Sequence, residues 1–214
     1  MNYFAHGRRF TSEPYFLAGT ATPDWLSVID RKMRARAKSA AAYVNDADPR
    51  LAQLARGIVQ HHADDDWFHQ TRAFTELSLE FTVAIRDALS PDDGFRPSFL
   101  GHILVELLLD AALFEDDLPR LDAYYAALAA IDPTIVQQGI NTIATKQTDR
   151  ITALLPRFLA ERFLYDYLED AKLLTRLGHI MRRVGLPALP PELAALLPPM
   201  RERVRRRQSE LLGE

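Results

Sequence analysis

Cysteine is absent from the 214 residues, which excludes disulfides and thiolate metal sites. Long apolar runs are missing as well. The longest stretch, Ile103–Leu109, is interrupted by Glu106 and too short to span a bilayer. Met1–Ala21 carries His, Arg and Glu and no unbroken apolar core, so no signal peptide is read there. A soluble, cytoplasmic protein without a membrane span is therefore expected. The net charge of −3 supplies no general attraction to nucleic acid, and no nucleic-acid partner is expected. There is no internal repeat, no glycine-rich phosphate loop and no nucleophile motif.

What remains is an ordinary globular composition, 48% hydrophobic and 26% charged, long enough to bury a substantial core. Ala/Leu-rich segments with 3.6-residue periodicity dominate and alternating β-branched runs do not occur. The expectation is an all-α, single-domain bundle of about seven helices over residues 1–200, followed by a basic helical tail, 201–214, solvated or partly frayed. Glu13–Trp25 reads as apolar and broken by Pro23, with Asp24 as cap of a helix starting near Trp25. Asp30–Ser39 holds Arg31, Lys32, Arg34, Arg36 and Lys38 against one acid, a local positive patch. Arg50–Leu89 reads as one or two helices, Ser90–Pro97 as a loop and Ser98–Leu113 as a strongly apolar helix. Further helices are expected over Asp117–Ile131, Pro133–Leu155 and Arg157–Val184. In the last of these, His179 reads as a core or surface residue.

The densest chemistry lies in Gly57–His69, GIVQHHADDDWFH. His61, Asp65 and His69 recur every four residues. On a helix, i and i+4 share a face and i+8 lies about 80° further round, so three potential metal ligands project along one side. His62, Asp64 and Asp66 are interleaved and can serve as supporting partners or an alternative ligand. Imidazole and carboxylate without thiolate suit a borderline or hard divalent ion. The plain alternative is a solvated acidic face. In the apolar helix, His102, Glu106 and Asp110 are also four apart, and ionisable groups there need partners because an unpaired buried charge is costly. Salt bridges or a metal would provide them.

The order of these stretches resembles a known family. MNYFAHGRRF and YFLAGTATPDWL are similar to the MN-F/Y-x-A-H start and the F-x-G-N-x-x-x-D-F segment of the acyl carrier protein phosphodiesterases. Those are all-helical hydrolases grouped with the HD phosphohydrolase superfamily. GIVQHHADDDWFH resembles their G-I-x-x-H-x-x-x-D-x-x-x-D segment, with His61 and Asp65 in register. GHILVE resembles their D-H-F-L segment, with His102 on the histidine, and FLYDYLEDAKLLTRLGHIMRRV their Y-L-x-x-x-x-x-L last core helix. Three positions depart from the pattern: Thr20 replaces Asn, His69 replaces Asp, and Gly101 replaces Asp. One expected acid is thereby lost or moved to Glu106 or Asp110.

The resemblance implies an HD-domain-like fold and metal-assisted phosphoester hydrolysis with Mn²⁺ or Mg²⁺, iron being a further candidate. It implies His6, Asp24, His61, Asp65 and His102 as ligands, with His69 added. Asp65, Asp64 and Glu106 are then the catalytic carboxylates, Asp64 or Glu106 orienting the water or a ligand histidine. Arg31, Lys32 and Arg34 would dock the phosphoester or an acyl carrier protein. Two rivals stand beside it. A helical di-iron or di-manganese redox protein would normally show paired Glu-x-x-His elements, which this chain lacks. A non-enzymatic helical scaffold would bind no metal tightly.

Overall fold

All regular structure is helical among the residues that the computed structural model describes: 1–89, 94 and 96–213. The α-helices are α1 (Tyr3–Gly7), α2 (Pro14–Ile29), α3 (Ala37–Ala40), α4 (Pro49–Phe68), α5 (Arg72–Ala88) and α6 (Pro97–Asp116). They continue with α7 (Leu118–Ala129), α8 (Pro133–Ile143), α9 (Ile151–Glu161), α10 (Asp170–Arg183), α11 (Leu197–Arg206) and α12 (Gln208–Leu212). The all-α expectation holds, but twelve α-segments among the described residues replace the expected seven or so. Most of the loop expected over Ser90–Pro97 lies outside the described residues. The chain divides into two compact units. One comprises Met1, Tyr3–Asp66 and Asp117–Arg162; the other comprises Asn2, Trp67–Asp116 and Phe163–Glu214.

In the first unit, α2 continues past Pro23, so Asp24 lies inside a helix and does not cap one. Pro23 has no N–H to give to the carbonyl of Gly19, a loss of about 3 kcal/mol in an isolated helix. Trp25 and Leu26 just beyond it are fully buried. Burying such side chains yields roughly 1.5–3 kcal/mol each, enough to carry the helix past the proline. Phe158 of α9 gathers the aromatic core, with Tyr3, Trp25 and Tyr125 around its ring at 5.3–5.8 Å. The helix expected over Pro133–Leu155 is two helices. Asn141 closes the turn between them by donating to Thr148 O at 2.9 Å and accepting from its N–H at 2.8 Å. The long helix expected over Arg157–Val184 stops where Arg162 adopts a left-handed conformation, φ 43°.

In the second unit, α5 and α6 form an antiparallel pair with their backbones in close contact. A Cβ on Gly101 would stand 2.8 Å from Ser78 O and 2.9 Å from Thr82 N. By length and composition α6 resembles a membrane span, mean hydropathy 1.5, but its Leu100, Leu104, Leu107 and Leu108 are buried. The basic tail is neither frayed nor merely solvated. Val204 and Leu211 are fully buried, and Arg201 and Arg207 reach Asp170 and Glu76, both at 2.7 Å. Burial of the apolar residues fixes these helices, since exposed ion pairs add little.

Candidate metal centre

Two groups of three side chains each bring ligand atoms within 4.8 Å of one another among the described residues. His6, His61 and Asp65 meet in the first unit; His69, His102 and Glu106 meet in the second.

The first group follows from two glycines. A Cβ on Gly57 would stand 2.1 Å from Phe16 O, and one on Gly19 would stand 2.3 Å from Leu54 O. Helices α2 and α4 therefore touch backbone to backbone, which only a residue without a side chain allows. One turn beyond Gly57, His61 meets the residue after Gly19, and its Nδ1 lies 2.8 Å from Thr20 O. A carbonyl can only accept, so Nδ1 carries a proton and Nε2 is the nitrogen turned to the other side. Nε2 faces Asp65 Oδ2 at 3.3 Å. A proton or a metal ion between nitrogen and carboxylate makes this approach favourable.

His6 repeats the arrangement from α1. Its Nδ1 is 3.1 Å from Asp64 Oδ2, and Gln60 holds Asp64 by donating to Oδ1 at 2.7 Å. Its Nε2 is buried and lies 3.3 Å from Asp65 Oδ1. The two imidazoles stack at 4.1 Å. Asp65 thus receives both imidazoles, one on each oxygen, and the Met1 ammonium lies 2.7 Å from Oδ1. Burial works against charge on His6, but the Asp64 and Asp65 carboxylates outweigh it and push its pKa up to about 9. Burial would raise the Asp65 carboxyl; hydrogen bonds from His6 and His61 and the nearby positive charge instead hold it well below the usual range. These donors fit a divalent ion: two oriented imidazole nitrogens, one carboxylate, and backing from Thr20 O and Asp64.

In the second group, His69 occupies the turn between α4 and α5. Thr71 caps α5 by accepting from Phe74 N at 3.2 Å and fixes that turn. His102 and Glu106 follow one turn apart on α6. His69 Nε2 and His102 Nε2 lie 2.9 and 3.2 Å from the same oxygen, Glu106 Oε1. Burial would raise the Glu106 carboxyl, but surrounding positive charge and the two imidazoles hold it well below its usual range. The glycine at 101 now has a reason: an aspartate there would drive its Cβ into the α5 backbone. The displaced acidic role falls to Glu106, while Asp110 accepts from Asn2 Nδ2 at 2.9 Å.

Of the expected ligands, His6, His61 and Asp65 come together in one group and His69 and His102 in the other. Asp24 belongs to neither. Asp64, expected to serve catalysis, contacts His6, and Glu106 stands beside two histidines as the third member of its group. His62 is used structurally, with Nε2 2.8 Å from Ala35 O. Arg31, Lys32 and Arg34 sit on the exposed segment that follows α2 and do not continue a helix; Arg34 turns its guanidinium onto the carbonyls of Arg31 and Met33. Sequence reasoning missed Thr20 O, because a backbone carbonyl leaves no residue signal. The pairing of Gly19 with Gly57 was the available clue.

No family model, no curated protein and no solved structure matches this chain.

Proposed function

We propose that the chain is a metal-dependent phosphoester hydrolase, with a divalent ion held by His6, His61 and Asp65. One observation carries this reading. Two buried imidazole nitrogens face a single carboxylate, each with its other ring nitrogen fixed by an oxygen acceptor. With Nδ1 of each ring held by an oxygen, the two Nε2 atoms are the nitrogens left to meet a cation beside Asp65. The ordered resemblance to acyl carrier protein phosphodiesterases supports Mn²⁺ or Mg²⁺, an HD-domain-like fold, and a phosphopantetheine-type or related phosphodiester as substrate, acyl carrier protein among the carriers.

When bound, the ion supplies polarisation of a phosphoryl oxygen and acidification of a water molecule. The chain's own residues do the rest. Thr20 O and Asp64 keep both imidazoles turned toward the ion, Gln60 keeps Asp64 in place, and Asp65 offers one oxygen to each side. In the reaction, water oxygen bonds to phosphorus, the ester P–O bond breaks, and the alcohol departs with a proton. The exposed Arg31 and Lys32 offer positive charge to the phosphoester or to an acidic carrier.

The test is hydrolysis of bis-nitrophenyl phosphate, nitrophenyl phosphate and phosphopantetheinylated carrier protein with added Mn²⁺. Metal-dependent turnover that disappears in Asp65→Ala is expected; undiminished turnover in that variant removes the assignment. A second reading draws on the same two-histidine, one-carboxylate donor set, which also suits ferrous iron in redox enzymes. Oxygen consumption by the Fe²⁺-loaded protein distinguishes it.

A further inference from the structure

We propose that His69, His102 and Glu106 form a second cation site, for one borderline divalent transition-metal ion of the zinc class. The inference goes beyond the hydrolase reading and does not depend on it, because it uses none of His6, His61 or Asp65. Its ground is geometric. Around a tetrahedral ion with metal–ligand bonds of about 2.0–2.1 Å, neighbouring ligand atoms stand about 3.3–3.4 Å apart. The two Nε2 atoms already lie 2.9 and 3.2 Å from Glu106 Oε1, and all three ligand atoms fall within 4.8 Å. Small side-chain rotations suffice to admit an ion.

The donors are held before any ion arrives. Glu106 and His102 are fixed by the contact of Gly101 with α5, and His69 by the Thr71-capped turn. Phe74 lies against both imidazoles, its ring 4.8 Å from His69 and 4.9 Å from His102. The His69 and His102 side chains are 34% and 41% exposed, so an ion has a way in and water has access to a fourth position. Two imidazoles and one carboxylate with an open position form the donor set of catalytic zinc sites, and two nitrogens disfavour Mg²⁺ and Ca²⁺.

Calorimetric titration of the full chain with Zn²⁺, and visible spectroscopy of the Co²⁺-loaded protein, test the site. Wild type is expected to bind two ions. His102→Ala and Glu106→Gln should each lose one ion and its share of the Co²⁺ absorption while keeping their helical circular dichroism. His61→Ala should retain the ion that those variants lose. Unchanged stoichiometry and affinity in both His102→Ala and Glu106→Gln would overturn the proposal. If His61→Ala still bound both ions while Glu106→Gln lost one, the second site would stand and the hydrolase reading would fail alone.

Discussion

Asp64 touches His6 and Gln60, and its role is to aim an imidazole. Replacing it with Asn keeps the shape and removes the charge that favours a proton on Nδ1 and a ligand on Nε2. Loss of such a supporting partner typically costs 10–100-fold in metal affinity, and Asp64→Asn should weaken Mn²⁺ binding by about that factor in a calorimetric titration. The same contact sets a pH dependence in chelator-treated protein. His6 has its pKa raised in the fold, so its contribution is complete below 6.5 and is lost as pH rises through about 9. Asp65 has its pKa lowered, so its contribution is present above 3.8 and is lost as pH falls. For these two groups stability therefore peaks between about pH 4 and 6.5. The alkaline arm should be at most about 3 kcal/mol, at 1.36 kcal/mol per pKa unit. Denaturant unfolding across pH 6–10 measures it, and His6→Gln should flatten that arm. The pairing of His61 with Asp65 was legible, because i and i+4 on a helix must share a face. His6 lies 55 residues from His61, and only the family resemblance brought it in.

At the scale of helices, the glycines decide which side chains meet. Gly57→Ala gains up to about 1 kcal/mol of helix propensity but places a methyl 2.1 Å from a carbonyl oxygen. Overpacking against a backbone that cannot rotate away costs about 1–3 kcal/mol or more, so the clash wins. A lower unfolding midpoint in denaturant is expected, together with weaker metal binding as α4 shifts His61 away from Thr20. Gly101→Asp, which restores the residue of the resembled family, should likewise destabilise the α5–α6 pair and disturb His102. The helical class was plain in the sequence because periodicity is a property of single segments. The breaks were less so. Pro23 looked like a terminator, yet the burial of Trp25 and Leu26 overrides it. The Asn141–Thr148 turn consists of side-chain-to-backbone bonds seven residues apart, which no local pattern announces. His69 was placed on the face of His61 and Asp65 by counting along one helix. That helix ends at Phe68, and His69 turns to Glu106 instead.

For the whole molecule, the proposed cation would link binding to folding. An ion held by His6, His61 and Asp65 ties α1 to α4, and both must be folded for the three ligands to meet. Free ion at a hundred times its Kd should stabilise the fold by about 2.7 kcal/mol, provided the unfolded chain binds it negligibly. For a chain of this size that corresponds to about 5–10 °C in Tm, at roughly 2–4 °C per kcal/mol. The increment must depend on pH in a fixed direction. Below about pH 9 the proton on His6 competes with the ion, so fixed Mn²⁺ stabilises less at pH 6.5 than at pH 8.5. Proton and metal would thus exchange roles: the imidazolium beside Asp64 and Asp65 supports the fold in acid, and a bound ion would support it in base. Thermal unfolding at both pH values, with Mn²⁺ and with chelator, measures the difference directly. An Mn²⁺-induced Tm shift larger at pH 8.5 than at pH 6.5 and abolished in His6→Gln is the expected outcome. A shift that persists unchanged in His6→Gln would place the stabilising ion on other ligands.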